Sequence, residues 1–104
     1  LTPTSGVGAG GEVLLPDGFA LDRNFPNPFN PTTTIPFRLS EAGTVTIDVS
    51  DMLGRRVATV IDRKDYPAGD HQVSFNAQGL PSGMYVAVMS FGGHHRLLKM
   101  LLLR

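Results

Sequence analysis

The chain of 104 residues has no cysteine and no tryptophan. Without cysteine there is no disulfide, no thiol nucleophile and no thiolate metal site. Without tryptophan, only Tyr66 and Tyr85 remain as polar aromatic platforms, which weighs against a carbohydrate-binding module. Net charge is missing too. Nine basic and nine acidic residues cancel, so no global field draws the protein toward nucleic acid. Aromatic and basic residues are not interleaved as on RNA-binding surfaces. No run reaches the roughly 18 apolar residues of a membrane-spanning helix. There is no signal peptide. The chain starts at Leu1 instead of methionine, so the expectation is a piece of a longer precursor.

Catalytic constellations are equally scarce. Ser40, Ser50, Ser74, Ser82 and Ser90 lack the strand–turn–helix context of a nucleophile elbow. No carboxylate pair can be given acid and base roles. His94 and His95 are neighbours on an expected strand, so they point to opposite faces and do not readily share a metal. Asp62, Asp65 and Asp70 flank one expected loop and offer oxygen ligands to Ca²⁺, but their spacing is not that of an EF-hand. The glycine run Gly6–Gly11 has no strand before it and no helix after it, so it is not a phosphate loop. The chain does not read as an enzyme, and no cofactor is implied.

What is present is a core and many short strands. Apolar residues make up 41% of the chain, and a single domain of this size buries about 65% of its unfolded surface. Leu1–Gly11 has linker composition, rich in glycine with proline, serine and threonine. A linker over 1–17 is expected to join an upstream domain to a domain over 18–104. Glu12–Leu15 is a candidate first edge strand, stopped by Pro16-Asp17-Gly18. Phe19–Leu21 leads into a proline-rich loop. Thr32–Leu39 is β-rich, but Pro36 lies inside it and points to an edge strand or a bulge. Thr44–Ser50 alternates cleanly, with Val45, Ile47 and Val49 on one face. Arg55–Ile61 follows, then a polar loop over Asp62–Asp70. His71–Asn76 carries Val73 and Phe75 inward. Met84–Phe91 is apolar on both faces and is expected to be central. Gly92-Gly93 marks a hairpin turn before His94–Leu103. Leu97, Leu98, Leu101 and Leu102 would also line a helix face, but the run is short and follows a glycine turn, which favours a strand. About seven short strands separated by turns predict an all-β, antiparallel Ig-like sandwich.

Two stretches stand apart. Asn24–Thr34, reading NFPNPFNPTTT, packs three prolines, three asparagines and two phenylalanines into eleven residues. Each proline fixes φ, lacks an N–H and pushes its predecessor out of the helical region. A stiff, extended, turn-bearing segment is expected, pinned to the core by Phe25 and Phe29, both at least half buried. At the other end, Gly92–Arg104 holds His94, His95, Arg96, Lys99 and Arg104 and no acid. As a strand it is apolar on both faces, with Lys99 interrupting one. Such a strand either sits centrally or offers a face to a partner.

These stretches carry a resemblance. Asn24–Thr34 resembles the opening of the type A C-terminal sorting domains found on cargo of the type IX (Por) secretion system. The likeness continues through Asp51–Arg56 (DMLGRR) and Leu80–Tyr85 (LPSGMY) and ends in Lys99–Arg104 (KMLLLR). It covers about Leu21–Arg104, in order. The resemblance implies an Ig-like sandwich that directs an upstream cargo domain through an outer-membrane translocon. Passage runs through the periplasm to the cell surface, with removal by a sortase-like peptidase. It places recognition on Asn27, Pro28, Phe29, Asn30 and Pro31, on Gly83 and Tyr85 of its Gly-x-Tyr motif, and on Lys99, Met100 and Leu101 of its terminal motif. The family's terminal strand often carries β-branched residues where this one has leucines. A non-catalytic cell-attachment or carbohydrate-binding module and an inert spacer are the alternative readings.

Overall fold

Alternation decides the strands. Every second residue of Thr33–Leu39, Val45–Val49 and Tyr85–Phe91 is buried, and those between are not. The computed structural model describes residues 18–104. The expected linker and the Glu12–Leu15 strand fall outside the described residues. Seven strands follow in order: β1 (Phe19–Leu21), β2 (Thr32–Leu39), β3 (Gly43–Asp51), β4 (Arg56–Tyr66), β5 (Gly69–Asn76), β6 (Gly83–Phe91) and β7 (His94–Leu102). The named pairings are all antiparallel. They form a three-stranded sheet, β1-β2-β5, and a four-stranded sheet, β4-β3-β6-β7. The fold is an all-β antiparallel sandwich. A constant-type immunoglobulin domain would place β4 beside β5; here β4 has switched to β3.

The inner faces meet in one apolar core. Ile35, Phe37 and Leu39 of β2 face Val45, Ile47 and Val49 of β3, Ala87 and Met89 of β6, and Met100 and Leu102 of β7. Ile47, Val45 and Val49 are completely buried, as the period-two pattern predicts. Val73 is only partly buried and packs against the cluster's rim. Phe19 closes one end on Phe91, their ring centroids 5.4 Å apart. Gly43 lies against the same ring, so close that an added Cβ would sit 2.5 Å from it.

Three expectations need correcting. Phe19–Leu21 is strand β1, not merely a lead-in to the loop. Pro36 sits in the middle strand of its sheet, not at an edge. The carbonyl of Pro36 accepts the Asp22 N–H. In an antiparallel strand a residue's N–H and C=O point the same way, so the missing donor faces the β1 side. β1 pairs only as far as Leu21↔Phe37, so the missing donor falls just past the end of that ladder, opposite Asp22. Finally, Asp62–Asp70 is not a polar loop. β4 runs on to Tyr66 and β5 starts at Gly69. Asp62, Arg63, Lys64 and Asp65 are exposed because β4 is an edge strand, and charged side chains on an edge guard it against pairing with another chain. Their polarity goes with an edge position and a bulge, since Arg63 takes φ +46° and the register with β3 shifts between Ile61 and Lys64.

Candidate recognition site

The antiparallel registers carry the four conspicuous sequence stretches to one pole of the sandwich. β3 ends there at Asp51, β4 starts at Arg56, β6 starts at Gly83 and β7 ends at Leu102. β2 begins there at Thr32 and β5 finishes at Asn76. Gly18, the β2–β3 turn and the Gly92-Gly93 hairpin lie at the opposite pole.

The proline-rich loop crosses from one sheet to the other. At its start, Phe25 exchanges two backbone hydrogen bonds with Thr34, each 2.9 Å. Beside them Asn24 Nδ2 donates to Thr33 Oγ1 at 3.0 Å, and Thr33 Oγ1 donates to the Pro26 carbonyl at 2.9 Å. Asn24 and Thr33 are the only buried polar residues among those described. At its end the loop lies along the outer edge of β7. The Phe29 N–H donates to the Leu101 carbonyl and the Leu103 N–H donates to the Phe29 carbonyl, both at 3.0 Å. Asn27 Oδ1 accepts the Leu101 N–H at 3.0 Å. The Phe29 ring is buried against Phe75. The first and last stretches of the sequence reading therefore form one clasp.

Phe25 does not fit the expectation of being at least half buried. Its side chain is 54% exposed. Its anchor is the backbone pair with Thr34, which leaves the ring outside while Asn24 turns inward.

β7 is an edge strand, and its two faces differ. Met100 and Leu102 are fully buried. Lys99 is exposed and Leu101 half-buried on the outer face. Cross-strand partners share a face, so Lys99 lies in an outer row with Val86, Ser50 and Arg56. The tail is tied down beyond the strand. Arg104 N–H donates to Ser82 Oγ at 2.9 Å, and its Nε donates to the Leu80 carbonyl at 2.7 Å.

The β3–β4 turn is held by one carboxylate. Asp51 Oδ1 accepts the N–H groups of Leu53 and Arg55, and Oδ2 accepts Arg55 Nε at 2.8 Å. The Arg55 N–H leads in holding the Asp51 carboxyl below the ordinary carboxylate range; the guanidinium and the Leu53 N–H add to it and desolvation opposes it. Gly54 takes φ +84°, a conformation that favours glycine. Between this turn and the Leu80–Tyr85 segment lies a groove of about 390 Å³, walled by Met52, Leu53, Val57, Pro81 and Met84. Tyr85 is buried, and its hydroxyl donates to the Pro81 carbonyl at 2.6 Å.

Of the ten expected recognition residues, Asn27, Pro28, Asn30 and Lys99 are exposed, and Pro31, Gly83 and Leu101 partly so. Phe29, Tyr85 and Met100 are buried. Sequence reasoning passed over Asn24, Thr33 and the Arg104 anchors. The candidate calcium ligands do not converge. Asp65 accepts the Thr44 hydroxyl and Asp70 pairs with Arg38, and no group of three or more possible ligands occurs among the described residues.

A β-sandwich whose sequence motifs gather at one pole, around backbone clasps and not around reactive groups, has the form of a recognition domain. The sequence profile of the secretion system C-terminal sorting domain matches residues 23–102, and the chain belongs to that family. It is a C-terminal sorting signal of type IX secretion, whose pathway leads to the cell surface or the extracellular space. Among curated proteins, none matches the chain.

Proposed function

We propose that the domain acts by being read, without chemistry of its own, and that the reader is the outer-membrane translocon met from the periplasm. The observation that carries this is the clasp. The loop residues Asn27 and Phe29 cover the edge of β7 at Leu101 and Leu103. The outer face beside that edge displays Lys99 and Leu101, with Asn27, Pro28 and Asn30 alongside. A partner strand adding to β7 beyond the stretch that the loop covers, around Leu97 and Lys99, would gain main-chain hydrogen bonds, while the outward side chains would set specificity. Lys99 supplies a point charge that discourages pairing between two copies. Phe29, Pro31, Gly83, Tyr85 and Met100 hold this surface in shape. A sortase-like peptidase would then act on the segment before the sandwich, between the cargo and about Leu21.

The test is Lys99→Ala with Leu101→Ser in a reporter fused upstream of Leu1, expressed in a host with the type IX machinery. Both side chains point outward, so circular dichroism should show a retained fold. Loss of secretion by the folded variant supports the reading. Unchanged secretion overturns it and moves recognition to Asn27–Pro31.

A further inference from the structure

The pole carries a second feature that strand recognition leaves unused. At the apex of the β3–β4 turn, Met52 is 59% and Leu53 78% exposed. They do not fold back on the core, because the Asp51 carboxylate and the Gly54 and Arg55 backbone bonds fix the turn. Met84 and Leu103 are exposed nearby. Arg56, Lys99 and Arg104 lie toward the same pole, while Arg55 is ion-paired with Asp51 at 2.8 Å. Asp51 is the one acid among the described residues of this pole, and its oxygens are already taken by the turn. The opposite pole mixes signs, with Glu41, Asp65 and Asp70 against Arg38 and Lys64. A chain of zero net charge thus has one basic, apolar-tipped end.

We propose that this pole docks on an anionic lipid bilayer surface, with Met52 and Leu53 entering the headgroup–acyl boundary and the nearby cations meeting lipid phosphates. Apolar side chains at a turn apex, with arginine and lysine set back behind them, match both layers of such a surface at once. Met52, Leu53 and Met84 also wall the groove beside the turn, so a protein segment seated there is the alternative that the experiment below separates from lipid. Arg56 and Lys99 stand in one row of the outer sheet face, three strand spacings or about 14 Å apart, set back from the turn apex.

The experiment is sedimentation of the 104-residue chain with vesicles of phosphatidylcholine, alone or mixed with phosphatidylglycerol. Binding to the mixed vesicles only, weakened by salt, is expected. Met52→Ser with Leu53→Ser should lower partitioning about tenfold, since both side chains lose their apolar burial. Arg56→Glu should lower it at least about fivefold. Leu97→Ser is the control. Leu97 is 70% exposed but lies up the strand toward the other pole, so its loss should change nothing. Circular dichroism confirms that each variant folds. Failure of the wild-type chain to bind mixed vesicles overturns the proposal, as does an equal loss from Leu97→Ser. If the wild-type chain ignores vesicles while the folded tip variant blocks secretion of a reporter, the tip docks on protein and the lipid assignment falls. Vesicle binding needs no translocon, so it succeeds or fails independently of the reading of Lys99 and Leu101.

Discussion

Replacing Phe29 by alanine tests whether the proline-rich loop is part of the folded domain. A free loop would lose little. In the structure Phe29 is 2% exposed, and its ring meets Phe75 at a centroid distance of 6.1 Å. Returning one aromatic side chain to water accounts for about 1.5–3 kcal/mol. A cavity is also left under the clasp, since the ring's backbone is fixed to Leu101 and Leu103 and cannot follow the collapse. Buried Phe→Ala changes of this kind cost about 3–5 kcal/mol. For a domain of this size the midpoint of thermal unfolding should drop by more than about 10 °C. Urea melts of both Phe29→Ala and Phe25→Ala make the comparison internal. Phe25 is more than half exposed, so its truncation should cost under about 1 kcal/mol, in the range of surface changes. Equal, small losses for the two would refute the clasp and make Asn24–Pro31 a loosely attached strap.

Asn27→Ala removes the acceptor for the Leu101 N–H; stability should fall by about 1 kcal/mol, with faster amide exchange at Leu101, and an unchanged exchange rate would contradict the bond. Gly43→Ala forces a methyl into the Phe91 ring and should cost about 1–3 kcal/mol by overpacking; a neutral effect in urea melts would show that the ring gives way. Asp51 has a folded pKa below its ordinary value of 3.8, so its stabilisation is complete above that value and is lost as pH falls through the folded one. In acid melts the wild type should therefore lose more stability than Asp51→Asn, and parallel curves would contradict the turn's dependence on that carboxylate.

Period-two alternation made β3 legible in the sequence, and an apolar run on both faces marked β6 as central; both are interior strands. Buried Val45, Ile47 and Val49 left no other register available. The same rule failed for the second half of β4. Asp62–Asp65 sits on an edge with bulges in the β3–β4 register, so nothing enforces alternation and charge looks like loop. Pro36 misled for a related reason. The rule against proline in a middle strand assumes a full ladder on both sides, and β1 ends at Leu21, so opposite Pro36 that side keeps the one bond that its carbonyl accepts from Asp22. The family motifs named residues that gather at this pole but not the geometry that joins them. Asn27 and Leu101 are 74 residues apart, and no local pattern announces a side chain that caps another strand's edge. Phe25 and Phe29 look equivalent in sequence. Only the crossing between sheets decides which ring goes inside.

The convergence of the motifs constrains how the signal can be dissected. Met100 and Leu102 are completely buried, and Met100 pairs with Tyr85 in the β6–β7 ladder. Arg104 holds Ser82 and Leu80, and Phe29 hangs on the backbone of Leu101 and Leu103. Removing the tail therefore strips an edge strand from the sheet, opens the core at this pole and releases the proline-rich loop together. A truncated chain that is not secreted has lost its fold and its proposed recognition surface in one step. The buried members of the motifs have the same defect, because each is also a packing residue. Outward positions escape it. Lys99, Leu101, Asn27 and the Met52–Leu53 tip share the pole but not the core. Changes there that spare the fold test one by one the three proposed contributions that deletion merges: the strand edge, the loop that covers it, and the basic apolar tip.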